Sequence, residues 1–201
     1  MKLLLLLSIF ISIKSANAQQ NTPAPFKRFA VQAGISVDNM DFNKGVPAPA
    51  VHESPSWKAG LTIGLLIRIP LTKNLFLQPE YTYVQRRGED KELGINYFMD
   101  YISMPVLLVY NISPRFGLIA GPQAELLISA KSTADGISTN ITHDVEERSI
   151  GVVGGFEVQA SRSIFFSARY LLGFNHIGIG QRSDTKEFKY EVVSATAGVR
   201  F

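Results

Sequence analysis

A chain of 201 residues without cysteine carries 20 Lys and Arg against 17 Asp and Glu, a formal net charge of +3. The length suits one domain. The missing thiols exclude disulfides, a zinc–thiolate centre and a lipoprotein anchor, and so slight a basic excess argues against nucleic acid as a partner.

The first residues, MKLLLLLSIFISIKSANAQQ, predict a cleaved secretory signal over 1–18. Lys2 supplies the positive start, Leu3 to Ile13 the apolar run, and Ala16-Asn17-Ala18 the small-x-small cleavage site. The run is shorter than the ~20 residues a membrane helix needs. Lys2 and Lys14 would leave with it, so the mature chain would be nearly neutral. Residues 19–26 read as a short extension, and a single barrel domain is predicted over 27–201.

From there period-2 alternation recurs, and eight strands are predicted. The first, Lys27–Val37, puts Phe29, Val31, Ala33, Ile35 and Val37 opposite Gln32, Gly34 and Ser36. The second, Trp57–Ile69, sets an aliphatic face against Lys58, Gly60, Thr62, Gly64 and Arg68. The third, Asn74–Arg86, sets Leu75, Leu77, Pro79, Tyr81 and Tyr83 against Gln78, Glu80, Thr82 and Arg86. The fourth, Phe98–Tyr110, is apolar throughout, and its facing stays open. The fifth, Arg115–Ser129, sets Phe116, Leu118 and Leu126 against Gly117, Gly121, Gln123, Glu125 and Ser129. The sixth, Arg148–Ala160, presents Gly151, Gly155, Glu157 and Gln159 on its polar face, and the seventh, Ser163–Asn175, presents Ser167, Arg169, Gly173 and Asn175. The eighth, Phe188–Phe201, alternates Val193, Ala195, Ala197, Val199 and Phe201 with Ser194, Thr196, Gly198 and Arg200.

The connections alternate between long or medium (Asp38–Ser56, Gly88–Tyr97, Ala130–Glu147, His176–Glu187) and short (Pro70–Lys73, Asn111–Pro114, Ser161–Arg162). An up-and-down antiparallel barrel with tight turns on one rim and loops on the other has this form. The expectation is an all-β, eight-stranded transmembrane barrel in a bacterial outer membrane, its short-turn rim facing the periplasm.

Two barrels compete: one with its apolar face to lipid, and a soluble lipocalin-like barrel with an apolar lumen for a small ligand. The polar faces are rich in glycine, which suits a cramped lumen better than a solvated strand. Their charges are few and of both signs: Arg68, Glu80, Glu125, Glu157, Arg169 and Arg200. Buried together, they would form a structural network of ion pairs. Aromatics such as Phe29, Trp57, Tyr110, Phe116 and Phe174 fall near strand ends, as in interfacial girdles. These features favour lipid outside. Phe201 then ends the apolar row of the eighth strand as an assembly signal. Membrane lipid and the barrel assembly machinery are the implied partners, with a further envelope protein or extracellular ligand at the loops.

The run Tyr101-Ile102-Ser103-Met104-Pro105-Val106, the Gly121-Pro122 of the next strand, Gln78-Pro79-Glu80-Tyr81 and Ala168-Arg169-Tyr170 resemble the PorT-like outer-membrane β-barrel family of Bacteroidetes. The resemblance implies the same small barrel in the cell envelope. The family's name-giving member takes part in protein secretion, a role not carried over to this chain.

Chemistry is sparsely signalled, and no catalytic residue, cofactor or metal is assigned. His52, His143 and His176 fall in or beside long loops without metal-ligand spacing. An outer-rim enzyme would draw on these with Asp144 or Glu53 and with Ser54, Ser138 or Ser183, yet no nucleophile motif places them. Arg86, Arg87 and Arg148 are candidates for lipopolysaccharide phosphates. Eight strands enclose a lumen that side chains fill, so an open pore is disfavoured and a narrow leak is the most it would allow. The reading is a non-enzymatic barrel with a structural, binding or secretion-accessory role through its loops.

Overall fold

The computed structural model describes residues 27–44, 56–91, 93–180 and 186–201. The predicted signal segment, the 19–26 extension and His52, Glu53, Ser54 and Ser183 lie outside the described residues.

Eight long strands run through the described chain: β1 Phe29–Asp41, β2 Lys58–Ile67, β3 Leu75–Asp90, β4 Ile95–Asn111, β5 Phe116–Ala134, β6 Arg148–Gln159, β7 Ile164–Gly173 and β8 Lys186–Arg200. Each pairs antiparallel with the next, and β8 returns to β1 in a register from Ala30 opposite Arg200 to Asp41 opposite Lys189. Phe201 adds one more bond, its amide donating to the Phe29 carbonyl at 2.9 Å. The sheet therefore closes, which a spanning sheet must do because lipid offers its edges no hydrogen-bond partner.

Alternation sets the faces. Ile35, Leu61, Ile63, Leu65, Tyr81, Leu118 and Phe166 stand outward, while Gln32, Thr62, Gln78, Thr82, Ser103 and Thr196 are buried inside. Phe29, Tyr110, Phe116 and Phe201 gather outward around the short-turn rim. The lumen is tight enough to demand glycine at specific points. A Cβ on Gly34 would lie 2.0 Å from the Ala195 carbonyl oxygen, and one on Gly198 would meet the Phe165 ring at 2.2 Å.

The structure settles one point that the sequence leaves open and corrects three others. First, the fourth strand's facing resolves: Tyr97, Met99, Tyr101, Ser103, Leu107 and Val109 point inward. The lumen is thus not uniformly polar. Apolar layers (Phe76, Leu107, Val109 and Ile119 towards the short turns; Met99, Tyr101, Phe188 and Tyr190 towards the long loops) enclose its polar middle.

Second, β5 contains a bulge. Asp100 pairs with Ser129 but Tyr101 pairs with Leu127, leaving Ile128 extra. The added residue inverts the facing beyond it. Ser129, assigned from the sequence to the inner face, instead stands outward and donates its hydroxyl to Asp100 at 3.1 Å.

Third, two of the predicted loops are largely strand. β3 and β4 continue to Asp90 and Ile95, so Gly88–Tyr97 shrinks to a turn. β5 continues to Ala134 and folds back on Ile137–Asn140. A two-residue turn joins them, Asp135 and Gly136 at φ 50° and 77°. Positive φ at both positions matches the twist of a hairpin.

Fourth, Arg86 is no candidate for lipopolysaccharide, because it is buried in the lumen with 4% exposure.

Candidate functional site

Three ion-paired clusters occupy the lumen, set there by the inward positions of six strands. At the short-turn end, Glu157 of β6 takes one guanidinium on each oxygen: Arg68 at 2.8 Å and Arg200 at 2.6 Å. Arg68 also donates twice to Gln78, at 2.9 and 2.6 Å, and Arg200 donates to Gln159. Phe76 and Phe165 lie under the two guanidiniums, their ring centres 5.5 and 4.2 Å away. In the middle, Arg169 of β7 grips Glu80 of β3 with two bonds of 2.7 and 2.9 Å. Gln32 and Gln78 donate to the same carboxylate, so Gln78 links the first two clusters. Towards the long loops, Arg86 sits between Asp38 at 3.0 Å and Glu125 at 2.5 Å. Ser36 and the Arg87 amide also donate to Asp38, and Gln123 donates to Glu125.

All six sequence-assigned charges therefore lie in the lumen, as the whole of two groups and one of the three charges of a third. Sequence reasoning missed Asp38 and Arg86, and with them the centre of the third cluster. The sequence places Asp38 at the start of a loop, although its spacing from Ser36 puts it on the inner face. The balance changes along the axis, with two arginines to one carboxylate at the short turns, one to one in the middle, and one to two below the loops. Such neutralisation is needed in a low-dielectric interior, where an unpaired charge costs several kcal/mol. A cavity of about 40 Å³ separates the second and third clusters, lined by Ser36, Thr62, Thr82, Ser103 and Gln123 among others. It is polar and large enough for water.

The loops seal the long-loop mouth. Phe42, in the turn Phe42–Lys44, is buried against Phe188 and Tyr97, with ring centres 5.5 and 6.3 Å apart. Phe188 packs edge-on to Tyr190, and Tyr190 edge-on to Tyr101. Val145 pairs with Ile179, and the bonds Glu146 N–Gly178 O (3.0 Å) and Gly180 N–Asp144 O (2.9 Å) tie two loops together over the mouth. Lys44 fastens the Phe42–Lys44 turn to β8 through Glu191 and to the end of β1 through Asp41 at 3.0 Å. Those two hydrogen bonds, Glu191 first, hold its amine above the ordinary lysine range.

Outside this seal, β3, β4 and β5 form a wall. They are 16, 17 and 19 residues long, whereas a tilted strand crosses a bilayer in about 9–11. The surplus projects on the long-loop side. Its tips carry Leu93 and Ile137, 60% and 71% exposed. Arg87 lies on the outer side of this wall, over the Phe98 ring and 3.6 Å from Asp100. His143 and His176 lie at the same rim. Neither imidazole hydrogen-bonds a carboxylate or hydroxyl among the described residues, nor do three potential metal ligands gather there.

A closed antiparallel barrel with an aliphatic outer face, an aromatic ring at one rim and its charges paired inside is the build of a small bacterial outer-membrane protein. The chain belongs to the family whose model, outer membrane protein beta-barrel domain, matches residues 17–178. Comparison with curated proteins finds no match. Among solved structures it is similar to the neisserial surface protein A (16% identity, 86% of this chain and 97% of that one, TM-score 0.59). It is also similar to Ail, the attachment invasion locus protein of Yersinia pestis (15% identity, 87% and 99%, TM-score 0.51). At these identities the likeness is one of fold. The chain resides in the bacterial outer membrane.

Proposed function

We propose that this barrel is a non-enzymatic binding module whose working surface is the projecting wall of the long-loop rim. One observation carries the reading: the lumen is blocked by ion pairs and a loop-borne aromatic seal, while the chain continues its sheet well past the bilayer to expose Leu93 and Ile137. A barrel built for transport has no use for the first feature, and a bare membrane plug has none for the second. The short-turn rim faces the periplasm and the wall faces outward, where an envelope protein or extracellular ligand meets it. Ail, whose name speaks of attachment for that protein, is compatible with this reading at the level of fold. The motifs around Pro105 and Gly121-Pro122 support placement in the PorT-like branch. Phe201, outward beside Phe29, serves recognition by the assembly machinery; Phe201→Ser should lower the amount inserted in the outer membrane without changing the mobility of what is inserted.

The test is site-specific photo-cross-linking in intact cells. A photoreactive residue at Ile137 should yield one discrete protein or ligand adduct, and the same residue at Ile63, on the lipid face, should not. A chain trimmed at 131–140 to a tight turn should fold as a barrel yet fail to substitute for the intact chain in cells that lack it. The reading fails if both positions give the same adducts, or if the trimmed chain substitutes fully for the intact one.

A further inference from the structure

The short-turn mouth is unlike the rest of the surface. It is a concave space of about 690 Å³, open to water, whose lining includes Lys27, Arg68, Arg115, Arg162 and Arg200 with Gln159. No Asp or Glu occurs in the turns that border it, 68–75, 111–116 and 159–164. Among the described side chains, the one carboxylate paired with these cations is Glu157, already divided between Arg68 and Arg200. Arg115 and Arg162 have no ion pair among the described residues. Deeper in, Arg200 is 6% exposed, yet its Nε has no hydrogen-bond partner there. A buried donor left in this state is costly. A concentration of cations around a cleft attracts and holds anions.

We propose that this mouth binds a phosphate-bearing ligand. Three features select the chemistry. The guanidinium forks of Arg115 and Arg162 match the oxygens of phosphate in pairs, which a single carboxylate does less fully, and Arg200 adds the free Nε–H below them. The excess of cations over Glu157 calls for more than one negative charge. Phe76 and Pro114 supply an apolar wall for whatever carries the phosphate. The phosphate can belong to a soluble ester that enters from the water side, or to a phospholipid headgroup that bends in over the rim of Phe29, Tyr110, Phe116 and Phe201. The site is separate from the projecting wall at the other end of the barrel and does not depend on the function proposed for that wall.

The experiment uses the full chain, extracted from outer membranes and reconstituted in phosphatidylcholine nanodiscs at low salt. Pyrophosphate is titrated by calorimetry, with acetate at equal ionic strength as control. Saturable pyrophosphate binding is expected, weaker by about tenfold or more in Arg115→Gln/Arg162→Gln and nearly unchanged in Lys73→Gln, a cation of the same rim outside the pocket. Both variants alter turn residues, and retained heat-modifiable mobility verifies their fold. A second arm replaces part of the lipid with phosphatidylglycerol and reads retained lipid by native mass spectrometry. Pyrophosphate binding in the first arm identifies a soluble source. Retention of phosphatidylglycerol that Arg115→Gln/Arg162→Gln abolishes, without pyrophosphate binding, identifies the headgroup. The proposal is overturned if neither arm shows binding, if the double variant binds like the parent, or if Lys73→Gln loses as much, which would mean unspecific surface charge.

Discussion

Arg86 is held by two carboxylates inside a sheet wrapped in lipid, so its removal is not a neutral deletion. Arg86→Ala strands Asp38 and Glu125 and should cost about 3–5 kcal/mol, read as a lower urea midpoint in micelles by Trp57 fluorescence. The adjacent Arg87 faces outward, with Asp100 3.6 Å away. Arg87→Ala should stay within about 1 kcal/mol. Equal losses at the two sites would refute the inward placement of Arg86. Packing makes a similarly local statement at Gly198, where Val would drive a Cβ into the Phe165 ring. That ring also lies against Arg200, so Gly198→Val should cost about 1–3 kcal/mol through overpacking. Lys44 differs from these. Its amine is raised by Glu191 and Asp41. A raised group contributes fully below the ordinary lysine pKa of about 10.4 and loses its contribution only as pH climbs through the folded value. The fastening of the first loop should therefore be indifferent to pH around neutrality; a loosening there near neutral pH, seen by hydrogen exchange at 40–44, would contradict it.

The hairpin that extends β5 depends on a turn with both central residues at positive φ. Glycine adopts that region freely, and a β-branched residue does so only with strain. Gly136→Val should abolish hydrogen-exchange protection at the pairs from Lys131–Asn140 to Ala134–Ile137 and leave the barrel strands protected. Loss of protection throughout would mean that the wall is integral to the barrel. The Asp135-Gly136 dipeptide is itself a strong hairpin signal inside the predicted loop Ala130–Glu147. The bulge at Ile128 had no such marker, because nothing in ELLIS announces which residue is extra. The consequence was the wrong face for Ser129.

As a whole molecule, the barrel pairs an apolar exterior with a sealed interior. It should need detergent to stay folded and migrate differently on gels before and after boiling. In planar bilayers it should pass no steady current, and Phe42→Ala combined with Tyr190→Ala, which opens the seal above Arg86, should still pass none while the ion-paired clusters below it stand. A well-defined channel in the unmodified chain would overturn the sealed-lumen description. The strict alternation of long and short connections proved a coarser guide than it looked. The β3–β4 connection is as tight as those of the opposite rim, so the two rims differ in the other three connections and in how far β3, β4 and β5 run past the bilayer.

Period-2 alternation determined the strands and, on all but β4 and the part of β5 past its bulge, their faces, because a strand's side chains must alternate and only one side can be apolar. Glycines and opposite charges on the inner faces likewise disclosed a crowded, ion-paired lumen. Two things were left to the tertiary structure. One is partner choice: Glu157 lies 89 residues from Arg68 and 43 from Arg200, and only strand register brings them within a hydrogen bond. The other is the plug and the basic mouth, since Phe42, Val145 and Phe188, like Lys27, Arg115 and Arg162, come from segments far apart in the chain. Local spacing cannot foresee which of them meet, because closure of the barrel sets that distance.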